Sequence, residues 1–253
     1  MKKIYAVAVA ILLLITSCSS DSNSETDAVN VVLLKKTIEQ FQDGSMLISL
    51  YQYDGAKLVF VSKSNGERNE FTYTGDQITK VEHSGNNEDA KTTEFTYDDE
   101  GKVSEMLEYG FNTIPGGEGE VPVQVPWANR TTYTYNTDGT ISLATYTGDH
   151  ESQTQLTGEG MLTMANGNIT AYASASGNAT YTFDAGNNPE MNITGINPVN
   201  IAWQYGGINN ITAANQGGGT GSYSATYTYN SGNYPITATE VEGGETTQIW
   251  FLY

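Results

Sequence analysis

The chain has 253 residues, and 11 basic against 29 acidic side chains give it a formal net charge of −18 at pH 7. So acidic a surface excludes nucleic acid as a partner, because binding a phosphate backbone needs clustered Lys and Arg, and it disfavours anionic lipid surfaces. A neutral ligand such as a carbohydrate, or a divalent cation, stays compatible with it.

Residues 1–17 have the three parts of an export signal: Lys2 and Lys3, the apolar stretch from Ile4 to Ile15, and the small residues Thr16 and Ser17. That apolar run is too short to span a bilayer comfortably. Cys18 is the single cysteine of the chain. Leu14 to Cys18 resembles the lipobox of bacterial lipoproteins, which implies cleavage before Cys18 and a lipid anchor on it. Loss of Lys2 and Lys3 with the leader leaves 9 basic against 29 acidic residues, a net charge of −20. Residues 18–30 then read as a solvated polar tether, with small and acidic residues from Ser19 to Asp27 and little to bury. That acidic run is similar to surface-export signals of Bacteroidetes lipoproteins, which implies an outer-membrane anchor with the domain facing the surface or the periplasm.

From residue 31 to 253 the chain repeats itself. Aromatic pairs spaced by two recur at Tyr51/Tyr53, Phe71/Tyr73, Phe95/Tyr97, Tyr133/Tyr135, Tyr181/Phe183, Trp203/Tyr205, Tyr227/Tyr229 and Phe251/Tyr253, with Leu162/Met164 as a degenerate copy. Turn residues follow most pairs, as in Asp54-Gly55, Gly75-Asp76, Asp98 to Gly101, Asn136 to Gly139, Asp184 to Asn187 and Asn230 to Asn233. An apolar strand then returns, as in Leu58 to Val61 or Ile78 to Val81. Each repeat therefore predicts a hairpin, and the series an antiparallel meander of roughly sixteen to eighteen strands, a sheet that must curl or close to protect its edges. Between the paired aromatics lie Gln52, Thr72, Thr96, Thr134, Thr182, Gln204 and Thr228, so one face is aromatic and buried and the other is polar and solvated. Abundant Tyr and Gly with little Leu agree with strands and tight turns.

The pattern Tyr-x-Tyr-Asp-x-x-Gly-x-Ile/Val, approximated from Phe95 through Val103 and from Tyr133 through Ile141, resembles the YD repeats of RHS-type proteins. It is closer still to Bacteroidetes lipoproteins that build such repeats on a porin-like curved or barrelled sheet. Phe95 and Asn136 depart from the motif's first Tyr and its Asp. The resemblance implies a fold and carries no chemistry.

His83 and His150 lie in polar stretches and read as surface residues, and the acids of Asp98-Asp99-Glu100 and Asp138 read as turn chemistry ahead of a calcium site. Nucleophile elbows and phosphate loops do not occur, so neither an enzyme nor a cofactor is expected. The insertion at about 110–130 holds three of the six prolines and Trp127. It predicts either a stiffened loop offering Trp127 to a sugar ring or a cap over an open end of the sheet with Trp127 tucked in. Trp203 is expected in the core. Trp250 aligns with the Thr face, either exposed or covered by Val31 to Leu34. The expected function is a membrane-anchored, non-catalytic binding module, with polysaccharide as the leading ligand and Trp127 and Trp250 as contacts. The alternative is a structural component of the envelope that docks another envelope protein.

Overall fold

In the computed structural model the described residues are 31–85, 90–114, 116, 121, 123–217 and 222–253, all within one compact unit from Val31 to Tyr253. The export signal, Cys18 and the tether lie outside them. The first eight strands are β1 (Lys36–Gln40), β2 (Met46–Asp54), β3 (Lys57–Lys63), β4 (Arg68–Thr74), β5 (Gln77–Ser84), β6 (Lys91–Tyr97), β7 (Val103–Ile114) and β8 (Val123–Tyr135). After them come β9 (Thr140–Gly148), β10 (Gln153–Ala165), β11 (Asn168–Ser174) and β12 (Gly177–Asn187). A short helix, α1 (Ile196–Ala202), precedes β13 (Asn209–Gln216), β14 (Ser222–Tyr229), β15 (Pro235–Glu242) and β16 (Glu245–Leu252).

Every strand pairs antiparallel with its sequence neighbours, and β1 pairs with β16, so the expected meander closes into a sixteen-stranded barrel. Closure removes the edges that an open sheet would expose. The seam is in register: Thr37 faces Phe251 on the lumenal side and Ile38 faces Trp250 on the outer side.

The aromatic pairs fall on the even strands β2, β4, β6, β8, β12, β14 and β16, with Leu162/Met164 on β10. Their side chains point into the lumen, where Val61, Val81, Phe95, Tyr133 and Leu162 are buried. The threonines between them stand outside. A register shift occurs at one place in most hairpins, between Gln52 and Tyr53, Thr72 and Tyr73, Thr96 and Tyr97, Thr163 and Met164, and Thr228 and Tyr229. Bulges bend a strand and raise its twist, so a bulge repeated at one level helps to curve the wall until it meets itself.

The second tyrosine of a repeat compensates for the break. The Tyr97 hydroxyl donates to the Ile78 carbonyl at 2.6 Å, Tyr135 to Val103 at 3.1 Å and Tyr253 to Pro235 at 3.0 Å, each acceptor being the residue just before a bulge or its equivalent on β7 and β15. Tyr53 reaches Leu34 in the same way, at 2.6 Å. Burial accounts for the raised pKa of these phenols, with Tyr73 and Tyr135 pushed up to about 12. Tyr97→Phe is expected to leave the Ile78 carbonyl unpaired and to cost about 1–2 kcal/mol. Thermal unfolding followed by circular dichroism reads this as a drop of about 2–4 °C per kcal/mol. An unchanged midpoint would remove the stitching role.

A sixteen-stranded ring is wide enough to leave an aqueous channel. Here the connection from β12 to β13 turns inward and packs against part of the lumenal wall. Ile193, Ile196, Val199 and Ala202 are buried against the lumenal side chains of β3 to β11. The Tyr133 hydroxyl donates to the Ala202 carbonyl at 2.8 Å, and the Thr194 amide to the Ala56 carbonyl at 2.9 Å. Gly195 has φ 75°, and a Cβ there would lie 2.5 Å from the Asp76 carbonyl oxygen, so only glycine lets the plug pass this hairpin turn. The plug therefore sits at the end of the barrel where the repeat turns cluster. The sequence reading placed Trp203/Tyr205 on a repeat strand. The structure puts the pair at the end of α1 instead, because Ile196, Val199 and Ala202 at helical spacing dominate locally and Pro198 suits a first helical turn.

Candidate functional site

The outer wall gives the first constraint on function. Its mid-strand positions hold charges in pairs, with Lys80–Glu82 at 3.0 Å and Arg130–Glu105 at 3.2 Å. The Arg68 guanidinium lies 3.6 Å from the centre of the Phe60 ring and the Arg130 guanidinium 4.6 Å from that of Tyr146, covering outward aromatics. A wall facing lipid needs a tall apolar band at these levels. One sector is different: Trp250 and Leu252 on β16, Ile38 on β1 and Ile48 and Leu50 on β2 stand together across the seam. Trp250 is 38 % exposed and Leu50 50 %. Trp250 is thus on the Thr face, as its alignment predicts, and exposed; Leu34, in the segment expected as its alternative cover, is buried elsewhere.

The insertion at 110–130 is not a loop as far as its described residues go. β7 and β8 stay paired out to Ile114 opposite Val123, while β6 stops at Gly110 and β9 at Ala128, so a two-stranded ribbon projects past the wall. Pro126 lies where β8 has no second neighbour, which is where a strand tolerates a residue without an N–H. β-branched Ile114, Val123 and Val125 outweigh the prolines. Trp127 stands at the base of the ribbon opposite Gly110, half-buried, on the strand face shared with lumenal Tyr133 and Tyr135. The structure brings Trp127 and Trp250 to opposite faces of the wall, so they do not share a site.

The lumen offers more. The plug leans on β3 to β11 and leaves open space along the remaining wall. One cavity, of about 280 Å³, runs between the plug and β1, β2 and β13 to β16. Glu39, Glu190 and Glu240 face it together with Tyr51, Tyr223 and Tyr227. A second, of about 290 Å³, lies nearer the end away from the repeat turns and is lined by Lys63, Asn69, His83, Lys91 and Glu108 with Trp203. Tyr205 borders both.

Tyr205 was expected to be core and is 69 % exposed. It follows α1 on a backbone with φ 63° at Gln204 and 105° at Gly206, and its amide bonds the Asn200 carbonyl at 2.8 Å. Its ring centre lies 5.8 Å from that of Trp203, whose own ring meets Phe95 edge-on at 5.6 Å. Trp203 is therefore anchored and Tyr205 presented.

Polar groups around the two cavities are specifically partnered. His83, read from sequence as a surface residue, faces the lumen, where its Nδ1 lies 2.6 Å from Asn69 Oδ1. Lys91 pairs with Glu108 at 2.9 Å and Lys63 with Glu67 at 2.6 Å. The Tyr223 hydroxyl donates to Glu240 at 2.8 Å. Glu190, enclosed among protein atoms although it keeps an edge on the cavity, has the side chains of Asn200 and Tyr51 beside it. Burial raises the pKa of Glu39, Glu190 and Glu240, opposed at Glu39 by the nearby Lys63 and reinforced there by Glu240. His150 is outside, its ring 4.1 Å from that of Tyr109.

The turn acids do what turns require. Asp98 Oδ1 accepts the amides of Glu100 and Lys102, both at 2.9 Å, and Asp138 Oδ1 accepts the Thr140 amide at 3.0 Å. Asp184 departs from the expected turn: it sits inside β12 and accepts hydrogen bonds from Tyr229 and Asn210.

No protein-family model matches the sequence, and no curated protein matches it. Among solved structures, a porin-like protein from Bacteroides vulgatus ATCC 8482 superimposes with a TM-score of 0.53 at 14 % identity, over 88 % of this chain and 98 % of that one. A porin-like protein from Bacteroides uniformis ATCC 8492 aligns over 88 % of this chain and 97 % of that one, at 12 % identity and a TM-score of 0.36. The first shares the barrel fold with this chain.

Proposed function

We propose that the chain is a lipid-anchored, non-catalytic binding module of the cell envelope, which admits a small polar ligand through the end of the barrel away from the repeat turns. Carbohydrate is the leading class. The observation that carries this reading is Tyr205, a large aromatic left open inside a closed barrel, with a cavity on either side. Concave sites with a few aromatic and polar groups are the usual setting for small ligands, and a flat ring flanked by carboxylates and amides suits a sugar. Cys18 would hold the module on the outer membrane, facing the surface or the periplasm. The charged outer wall favours a barrel that stands in water and needs such an anchor. The porin-like protein that shares the fold lends support to an envelope setting.

The test is binding of the chain from Asp27 onward to a panel of polysaccharides and oligosaccharides, with Tyr205→Ala, Trp127→Ala and Trp250→Ala in parallel. Saturable binding that Tyr205→Ala weakens tenfold or more, while Trp250→Ala leaves it intact, is the expected result. Loss in Trp127→Ala alone would move the site to the β7–β8 ribbon, and silence across the panel would sink the carbohydrate reading. Labelled palmitate incorporated by the wild type and not by Cys18→Ala is expected of the anchor.

A second reading, docking of another envelope protein, is favoured by the apolar sector around Trp250, Leu252 and Leu50. A photo-crosslinking residue at position 250 that captures no protein in intact cells would count against it.

A further inference from the structure

We infer that the cavity between the plug and the seam strands is a receptor pocket for a protonated amine carried by the ligand, an inference that rests on the reading of the barrel as a binding module. Three carboxylates reach this cavity from three different elements: Glu39 from β1, Glu240 from β15 and Glu190 from the plug. No Lys or Arg is among the side chains that border it, the nearby Lys63 facing the other cavity. Five aromatics stand among the rest of its lining, Tyr51, Tyr223, Tyr227 and Phe251 on the barrel and Tyr205 on the plug, beside amides such as Asn209 and Asn210. Ring faces and carboxylates attract the same guest. The negative face of an aromatic quadrupole favours a cation within about 6 Å, most of all where water is excluded.

Two features separate this guest from its rivals. A metal ion needs several oxygens around one point, and among the described residues no three acidic, His or Cys side chains stand close enough to hold one. The spread of the carboxylates across the cavity suits instead an ammonium whose hydrogens point in different directions and whose carbon frame lies on rings. An anion is opposed by the three carboxylates and by the net charge of the whole molecule. The exposed Tyr205 ring is the independent sign that the cavity has an occupant, since covering it would bury an aromatic now held open to water on a backbone with positive φ on both sides. The volume of about 280 Å³ takes one sugar ring or a compact amine rather than a long chain. An amino sugar therefore unites the ring-stacking and charge preferences of the site.

The experiment is calorimetric titration of the chain from Asp27 onward with four probes: the disaccharide of glucosamine, its N-acetylated counterpart, cellobiose and benzylamine. Acetylation replaces each ammonium by a neutral amide and adds an acetyl group, and cellobiose, with a hydroxyl in that place, is the neutral control without the added bulk. The free amine form is expected to bind at least tenfold more tightly than the acetylated form and than cellobiose, with benzylamine competing. Glu240→Gln and Glu39→Gln keep the shape of the wall, and each is expected to lower affinity for the amine about five- to tenfold while leaving the circular dichroism spectrum unchanged. Equal affinity for charged and acetylated sugars, or undiminished binding in both Gln variants, would overturn the amine pocket and leave the binding module standing. Binding of benzylamine alone would uphold the pocket and discard carbohydrate as the ligand class. If none of the four binds, the amine inference falls, and a ligand found only elsewhere in the saccharide panel would still support the wider reading.

Discussion

Val199→Asp is expected to lower the thermal midpoint by about 10 °C or more while leaving most of the β-sheet signal in place. Val199 is fully buried, on the face of α1 that meets the lumenal wall of β3 to β11. A carboxylate there loses its water and gains no partner, a penalty on the order of 3–5 kcal/mol, and a domain of this size loses roughly 2–4 °C per kcal/mol. The plug has a cheaper option than unfolding with the barrel. It is a single connection between two strands and can leave the lumen while the wall stays paired. Undocking would expose the apolar side chains it covers, so binding of a hydrophobic dye should rise in the variant below its unfolding midpoint. Val199→Ala, which only trims the contact, should lower the midpoint much less and bind little dye. A midpoint unchanged by the aspartate would show that α1 does not occupy the lumen.

The second large effect is on pH dependence, and it centres on Glu190. Burial raises its pKa, and those of Glu39 and Glu240, above the ordinary carboxyl value of 4.5. The folded state therefore binds these protons more tightly than the unfolded chain does. The stability they confer is complete below about 4.5 and is lost as pH rises through the folded values. Wild type should accordingly melt at a lower temperature at pH 7.5 than at pH 5, and the high net negative charge adds to the same slope. Glu190→Gln removes a carboxylate that must be desolvated at neutral pH while keeping an acceptor for Tyr51 or Asn200. It is expected to raise the midpoint at pH 7.5 by several degrees and to flatten the difference between the two pH values. Asp43, Glu67 and Asp138 are held below their usual values by hydrogen bonds, so their contribution disappears only at more acidic pH. A variant with the wild-type slope would mean that folding does not raise the pKa of Glu190.

Most of the wall was legible in the sequence because an aromatic pair on every second strand but β10, which has Leu162 and Met164, reports both the strand and its buried face. Thr72, Thr96, Thr134 and Thr228 pointed to the solvent side, where they stand. Closure was implied by the strand number, although its register was not, since nothing in Lys36 to Gln40 or in Gln248 to Leu252 names the other as partner. The repeat misled at Trp203/Tyr205, where the spacing of a strand pair falls by coincidence at the end of a helix. Ile196, Val199 and Ala202 carried the correcting signal, muted by the shortness of α1. The candidate contacts from sequence were chosen for being tryptophans away from the repeat's aromatic positions, Trp127 in the insertion and Trp250 on the Thr face. The cavities depend instead on Glu39, Glu190 and Glu240, which lie far apart in the chain and converge only once β1, β15 and the plug are in place. Local pattern cannot reveal that convergence.

The seam between β1 and β16 also fixes an order of events. Lys36, near the start of the domain, is paired with Leu252, next to its end. Until the last strand has been made and delivered, β1 has only one neighbour and the sheet keeps two raw edges with an uncovered aromatic face. Contacts of such long sequence separation form slowly. The chain must therefore be kept from its own kind during that interval, by a chaperone or by dilution, and loss of even the final strand should leave an aggregating sheet in place of a smaller barrel.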